Sequence, residues 1–269
     1  MSFVLAAFAD EASPSLSGQI KAMKENGISC LEIRGVDGEN IADISVEKAK
    51  EIRKALEAEG LYVWSLGSPY GKIGLDEDFT PHLEKFKKSL ETAEILGADH
   101  LRLFSFYNAF GRFSEVCERL GKFIRAAEGS GILLCHENEK DIYGDISERC
   151  VEIHKTFPEL RAIFDPANFV QTGQDTLEAW EQLKTYVEYM HIKDAEASGF
   201  VVPAGKGIGN LKKILSEYKG RVLTVEPHLT VFQGFENLEA DKKSGIGSYT
   251  YPDSFTAFKA AVDALKEII

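Results

Sequence analysis

Residues 160–192 read LRAIFDPANFVQTGQDTLEAWEQLKTYVEYMHI, and this segment indicates the fold most clearly. A short apolar run at 160–164 is followed by a segment of helical period at 176–185 and then by a second apolar run at 187–192. Nearly continuous apolar strands that alternate with helices are typical of parallel sheets with both faces covered. The stretch therefore predicts a strand–helix–strand unit with parallel strands.

The same unit recurs along the whole chain. We predict eight pairs, with strands at 3–9, 30–34, 62–66, 100–106, 132–137, 160–164, 187–192 and 221–225, and helices at 13–26, 45–59, 79–96, 112–129, 146–157, 176–185, 211–218 and 254–268. A doubly wound open sheet is the alternative, but it normally carries a glycine-rich phosphate turn after its first strand, where this chain has ADEAS at 9–13. The pattern favours an α/β fold in which residues 1–269 form a single (β/α)8 barrel, or TIM barrel.

The composition bounds the class of protein. The chain has 269 residues, 31 Lys+Arg against 43 Asp+Glu and a formal charge of -12, which disfavours nucleic acid as a partner. No apolar stretch predicts a membrane span, and the opening MSFVLAAFADEA lacks the basic start of a signal peptide. The four cysteines are scattered, as is typical of reduced thiols. We expect a cytoplasmic protein.

In a (β/α)8 barrel the chemistry lies at the carboxyl ends of the strands. Four successive predicted strands end in possible metal ligands, Glu137, Asp165, His191 and Glu226. Carboxylates combined with an imidazole suit one divalent metal ion such as Mn, Mg, Co or Zn. The plain alternative is that barrel rims are polar in any case. Strand alternation turns Glu137 toward this site and His136 away from it, which favours a structural role for His136.

Five short segments, taken together and in order, give a specific signal: 137–138 (EN), 165–168 (DPAN), 191–194 (HIKD), 203–207 (PAGKG) and 226–227 (EP). In these segments the chain resembles the xylose isomerase-like barrels of the sugar phosphate isomerase/epimerase family, over essentially its whole length. The resemblance implies that Glu137, Asp165, His191 and Glu226 hold one metal ion. It also implies that Glu137 and Glu226 are the catalytic acid/base pair.

The chemistry agrees with this arrangement. Removing a proton beside a carbonyl produces an enediolate, whose charge a divalent metal stabilises. Two carboxylates on opposite faces of a small carbohydrate substrate can take and return the proton. Isomerisation, epimerisation and the loss of water share this first step. We therefore expect a metal-dependent isomerase or epimerase acting on a sugar, sugar phosphate or cyclitol, with an inosose-type dehydratase as the alternative.

Two positions depart from the pattern of the family. Many relatives have a histidine where this chain has Asn168, and an amide can position substrate but cannot relay a proton near neutrality. Epimerases of the group tend to carry an arginine shortly after the ligand of the seventh strand, where residues 195–198 read AEAS. This second departure counts against a ketose 3-epimerase.

Further residues are candidates for binding substrate. Lys193 shares a face with His191, and His228 shares a face with Glu226, while Lys206 lies in a glycine-rich loop that we expect to be flexible and to cover the substrate. The remaining candidates are Asn168, Arg34 and Glu11. For Lys193, an ion pair with a carboxylate at the rim is an equal alternative to substrate binding. For Arg34, an ion pair with Glu32 or Glu11 is the favoured interpretation. Simple exposure is the alternative for Lys206. The long segment 230–251 is typical of a lid or a homo-oligomer contact.

Two other functions stay open. The zinc-dependent apurinic endonucleases share the ancestry that the resemblance implies, but they use three metals and many histidines. This chain has 6 His and a charge of -12, and both features disfavour such a phosphodiesterase. A catalytically inactive sugar-binding barrel is the remaining alternative, against which the four candidate ligands argue.

Overall fold

Eight parallel strands close into a barrel in the computed structural model, which describes residues 3–230 and 249–269. Each strand pairs with the next, and the eighth pairs with the first. The predicted (β/α)8 barrel is confirmed, because an open sheet would leave two unpaired edges. The strands are β1 Val4–Ala7, β2 Cys30–Ile33, β3 Tyr62–Leu66, β4 His100–Leu103, β5 Leu133–Glu137, β6 Arg161–Phe164, β7 Val187–Ile192 and β8 Val222–Val225.

A helix follows each strand. The helices are α1 Leu16–Glu25, α2 Val46–Ala58, α3 Phe79–Leu96, α4 Phe113–Ala127, α5 Ser147–Thr156, α6 Thr176–Leu183, α7 Leu211–Glu217 and α8 Ser254–Lys266. A further short helix, Pro166–Gln171, lies between β6 and α6. Local sequence explains several of the helix ends, since Ser45 and Asp78 accept backbone N–H groups at the starts of α2 and α3. Gly97 ends α3 in the left-handed conformation.

The predicted start of α1 is wrong. The sequence predicted a helix from residue 13, whereas the helix begins at Leu16 and the side chain of Ser15 accepts the N–H of Gly18. Three strands are also shorter than predicted at their carboxyl ends. The chain after β1, for example, turns into a short 3-10 helix, Ala9–Glu11, at the mouth of the barrel.

Two apolar layers place the functional end of the barrel. The larger core lies between the strands and the helices. A small cluster fills the interior of the barrel and contains Ala6, Cys30, Cys135, Ile163, Tyr189 and Val222. Above this cluster the inward-facing side chains become polar, so the barrel is closed below and carries its chemistry at the carboxyl ends of the strands.

The four cysteines are free thiols, three of them buried. Within 3–230 and 249–269, none of the helices combines the length and the apolar character needed to cross a membrane. Most of the predicted lid or oligomer contact at 230–251 lies outside the described residues.

Candidate metal centre

Four strand ends converge on one point. Glu137 closes β5, His191 lies in β7, and Asp165 and Glu226 directly follow β6 and β8. One donor atom of each lies within 4.8 Å of the others, and all four side chains are buried. Nδ1 of His191 is 2.8 Å from Oε1 of Glu137 and 3.5 Å from Oε2 of Glu226. The structure therefore brings together the four residues that the sequence selected.

Two of the carboxylates are held through one oxygen each. Oε2 of Glu137 accepts a hydrogen bond from Arg102 at 3.0 Å. Oδ1 of Asp165 accepts the N–H of Asn168 at 3.2 Å, because Asp165 caps the short helix that follows it. The other oxygen of each carboxylate points toward the centre. Oε1 of Glu137 contacts His191, and Oδ2 of Asp165 contacts Lys193.

Glu226 is held in the same way by a buried ion-pair network. Arg34 approaches its Oε1 at 3.3 Å and also binds Asp10 through two nitrogens and Glu11 at 3.0 Å. The backbone N–H of His228 donates to Glu11 at 2.6 Å, and its ring Nε2 lies 3.5 Å from Glu226. Arg34 thus has the ion pair with Glu11 that the sequence favoured, and Asp10 joins it unpredicted.

Lys193 faces the same centre. Its Nζ is 2.9 Å from Oδ2 of Asp165 and 3.2 Å from Oε2 of Glu226. Lys193 therefore forms ion pairs with two candidate ligands at the mouth of the barrel. This position is compatible with both roles that the sequence allowed, an ion pair with a rim carboxylate and a contact with substrate.

The centre carries an excess of negative charge. Six buried carboxylates (Asp10, Glu11, Glu32, Glu137, Asp165 and Glu226) surround three permanent cations, Arg34, Arg102 and Lys193. Buried charge of one sign is costly, and it raises the affinity of the carboxylates for protons. Burial raises the pKa of Asp165 to about 7 and that of Glu11 to about 8. Burial opposes the charged form of His191, but the carboxylates of Glu137 and Glu32 raise its pKa well above the usual range.

A divalent cation fits this donor set. Three carboxylate oxygens and one imidazole nitrogen suit Mg, Mn, Co or Zn, and two positive charges would compensate most of the excess. A second group, Glu11, Glu226 and His228, also has donor atoms within 4.8 Å of one another. Arg34 already forms ion pairs with both carboxylates of this group, so its guanidinium supplies the positive charge that a metal ion would bring there.

Sequence reasoning missed one residue at the heart of the centre. Oε2 of Glu32 lies 3.0 Å from Nε2 of His191, on the side of the ring away from Glu137. The sequence offered Glu32 only as a partner for Arg34. A carboxylate inside an otherwise apolar strand, CLEI at 30–33, was the available signal.

Other predicted residues lie farther from the donor atoms. The amide of Asn168 donates to the backbone oxygen of Asn138 at 2.9 Å and so supports the turn behind Asp165. Lys206 is exposed. Its loop, expected to be flexible, is anchored because Asp194 accepts N–H groups from Gly205, Gly207 and Gly209.

Histidines elsewhere have other neighbours. His136 points outward, as the alternation of β5 predicted, and its ring packs against His154 of α5 at 5.8 Å. His100, at the opposite end of the barrel, stacks on Trp64 at 3.9 Å. His82 packs against Tyr70. Within 3–230 and 249–269, each of the two clusters with metal-binding geometry contains a single histidine, unlike the histidine-rich site that an apurinic endonuclease would need.

Sequence comparison identifies the class. Residues 20–244 match the family model described as xylose isomerase-like TIM barrel, and the chain belongs to this family, as its motifs predicted. No curated protein sequence matches the chain.

Solved structures share the fold. The probable 3-DHS dehydratase AsbF from Bacillus anthracis is 16% identical, with 99% of each chain covered and a TM-score of 0.74. An IOLI protein with a bound zinc atom is 18% identical, with 98% of this chain and 99% of that chain covered and a TM-score of 0.73. A D-psicose 3-epimerase solved in the presence of D-fructose is 16% identical, with 98% and 97% covered and a TM-score of 0.75.

Proposed function

We propose that the protein is a divalent-metal-dependent isomerase or epimerase that moves a proton next to the carbonyl of a small sugar, sugar phosphate or cyclitol. One observation carries the proposal. Two glutamates from different strands, Glu137 and Glu226, approach the same nitrogen of His191, at 2.8 and 3.5 Å, within a buried set of four ligands. A metal ion and two opposed carboxylates are the groups that such a proton transfer needs.

The roles of the residues follow from their neighbours. Glu137, Asp165, His191 and Glu226 would hold the metal, which when bound supplies a Lewis acid for neighbouring oxygens. Burial opposes the ionisation of Glu137, but His191 and Arg102 outweigh it and lower its pKa. Burial also opposes the ionisation of Glu226, but Lys193 outweighs it and holds the pKa of Glu226 well below its usual range. Both shifts favour the ionised form, which is the form that accepts a proton.

The product depends on where the proton returns. If Glu137 and Glu226 face opposite sides of the substrate, removal by one and return by the other inverts a carbon, which is epimerisation. Return to the neighbouring carbon is aldose–ketose isomerisation. Lys193, held between Asp165 and Glu226, is placed to donate a hydrogen bond to a substrate oxygen.

An inosose-type dehydratase is the second candidate, and one observation favours it. The arginine typical of the epimerases is absent from 195–198. A zinc phosphodiesterase and an inactive sugar-binding barrel are outcomes of the test.

The first experiment is the metal content of protein purified without chelators, followed by titration with Mn. Asp165→Asn is the control, since it loses one ligand charge. One tight ion per chain that is lost in Asp165→Asn supports the proposal. Two or three zinc ions would support the phosphodiesterase, and no binding would contradict the mechanism.

The second experiment screens ketoses, aldoses and inososes for C–H exchange in deuterated water. Deuterium gained without a loss of mass indicates isomerisation or epimerisation, whereas loss of water indicates a dehydratase. We expect Glu226→Gln to lower turnover by about 10²- to 10⁴-fold, because it removes an acid/base group. The matched control is Glu139→Gln, a mouth carboxylate that pairs with Lys72. Equal turnover in both variants would contradict the role of Glu226.

A further inference from the structure

We propose that Glu32 is a positioning residue, which fixes the imidazole of His191 so that Nδ1 is the nitrogen offered to the metal. The inference rests on the metal centre of the proposed function and deepens it. It assigns a task to a buried carboxylate that lies outside the set of four ligands.

Glu32 reaches the centre from the other side of the barrel. It lies on β2, whereas His191 lies on β7, and its side chain is fully buried. Its Oε2 lies 3.0 Å from Nε2 of His191 and accepts the hydroxyl of Thr224 at 2.9 Å. Its Oε1 accepts the hydroxyl of Tyr189 at 2.8 Å, with Ser65 at 3.4 Å. Donors from three strands therefore hold this carboxylate in one orientation.

The position of Glu32 bears on which nitrogen of His191 would bind a metal ion. The ring lies between two carboxylates, with Nδ1 2.8 Å from Glu137 and Nε2 3.0 Å from Glu32, and an ionised carboxylate can only accept, so both nitrogens can carry a hydrogen when no metal is bound. Nδ1 faces the candidate ligands Glu137 and Glu226, whereas Nε2 faces a carboxylate outside that set. A cation held by the four ligands would therefore take the place of the hydrogen on Nδ1, and Nε2 would keep its hydrogen toward Glu32. The edge of the His191 ring packs against Phe8 at 5.2 Å, so the ring plane is fixed as well.

A neutral acceptor could have fixed the same tautomer at a lower cost of burial, so the charge of Glu32 needs its own explanation. A carboxylate that accepts the second N–H of a ligating histidine makes its other nitrogen a stronger donor, and losing such a partner typically weakens metal affinity. Four hydrogen-bond donors satisfy Glu32 where it stands. We infer that the charge is kept for its effect on Nδ1.

The test is Glu32→Gln, which preserves shape and removes the charge, while the hydroxyls of Tyr189 and Thr224 can turn to suit an amide. The matched control is Glu188→Gln, because Glu188 also lies on the barrel beside a histidine, with its Oε1 3.7 Å from Nε2 of His100 at the opposite end. Affinities for Zn and Mn are measured at fixed pH by competition with a chromophoric chelator. We expect Kd to rise about 10- to 100-fold in Glu32→Gln and to stay near the wild-type value in Glu188→Gln.

A spectroscopic measurement separates positioning from packing. In the zinc-loaded protein with ¹⁵N-labelled histidine, we expect a His191 proton on Nε2 at low field, as is typical of a hydrogen bond to a carboxylate. It should move upfield in Glu32→Gln and stay in place in Glu188→Gln. A purely structural role would lower stability and leave both Kd and this signal unchanged.

The outcomes are distinct. If the wild type binds metal and Glu32→Gln binds it equally well, the inference is overturned and the proposed function survives. If the wild type binds no metal, both are overturned. Should Glu32→Gln fail to fold, Tyr189→Phe removes one donor to Glu32 and leaves all charges in place. A shifted Nε2 proton with weaker metal binding then supports the inference, and unchanged values overturn it.

Discussion

Replacing Arg102 by methionine should destabilise the metal-free protein more than most single substitutions. The guanidinium is buried, donates to Oε2 of Glu137 at 3.0 Å, and donates to the backbone oxygens of Gly67 at 3.1 Å and Ser68 at 3.3 Å. Methionine also removes the guanidinium from over the rings of Phe8 and Phe104. It leaves a buried carboxylate without its cation.

The magnitude follows from these contacts. Breaking a buried ion pair from one side costs about 3–5 kcal/mol, since the remaining charge stays buried. The two carbonyl oxygens that lose a donor add about 1 kcal/mol in total. We expect the free energy of unfolding of Arg102→Met to be about 4–6 kcal/mol below that of the wild type.

The assay is urea unfolding in the presence of EDTA, followed by circular dichroism. Glu137→Gln and the double variant complete a thermodynamic cycle in which removing both partners should cost less than the sum, by about 2–3 kcal/mol. A loss below about 1 kcal/mol for Arg102→Met, or additive effects in the cycle, would refute the reasoning that Arg102 compensates the charge of Glu137.

Two further predictions concern groups outside the centre. Asp194→Asn should lower the free energy of unfolding by about 2–4 kcal/mol, because an amide nitrogen would face the two backbone N–H groups that now donate to Oδ2. Urea unfolding measures this loss, and an unchanged urea midpoint would contradict the prediction. Burial lowers the pKa of His154 to about 4, so below pH 6.5 the unfolded chain takes up a proton that the folded protein does not. This group therefore stabilises the fold fully above pH 6.5 and loses about 2 kcal/mol of that effect by pH 5. His154→Phe should remove this acid sensitivity when urea midpoints at pH 7.5 and 5.0 are compared, and an unchanged pH dependence would contradict it.

The sequence predicts the architecture well because parallel strands covered on both faces leave a local trace. Each barrel strand is a short apolar run, and each helix has its own period and, in several cases, its own cap, so the elements can be located one by one. The first and last residues of each element are harder to predict from sequence than its presence. Ser13, Pro14 and Ser15 offer competing starts for α1, and the structure places the cap at Ser15.

The candidate ligands are also local signals. Glu137, Asp165, His191 and Glu226 each end an apolar run or directly follow one, and parallel strands bring such ends to one edge. Glu32 has no such signal, since its partner His191 lies 159 positions away and on the other side of the barrel. Which inward-facing side chains of β2 and β7 share a layer depends on the stagger of the closed barrel, which short sequence motifs do not contain.

The two halves of the barrel contribute differently to the centre. The candidate ligands come from β5 to β8, whereas the groups that contact them from behind come largely from the first half: Arg102 from β4 for Glu137, Glu32 from β2 for His191, and Arg34 after β2 for Glu226. The contact of Arg102 with Glu137 bridges two neighbouring strands, whereas the contacts of Glu32 with His191 and of Arg34 with Glu226 exist only once the barrel is closed. Because the supporting cations and the buried carboxylate would be costly without their partners, the centre and the closure of the fold stabilise each other. A change on β2 or β4 should therefore reach the chemistry, although neither strand supplies a ligand.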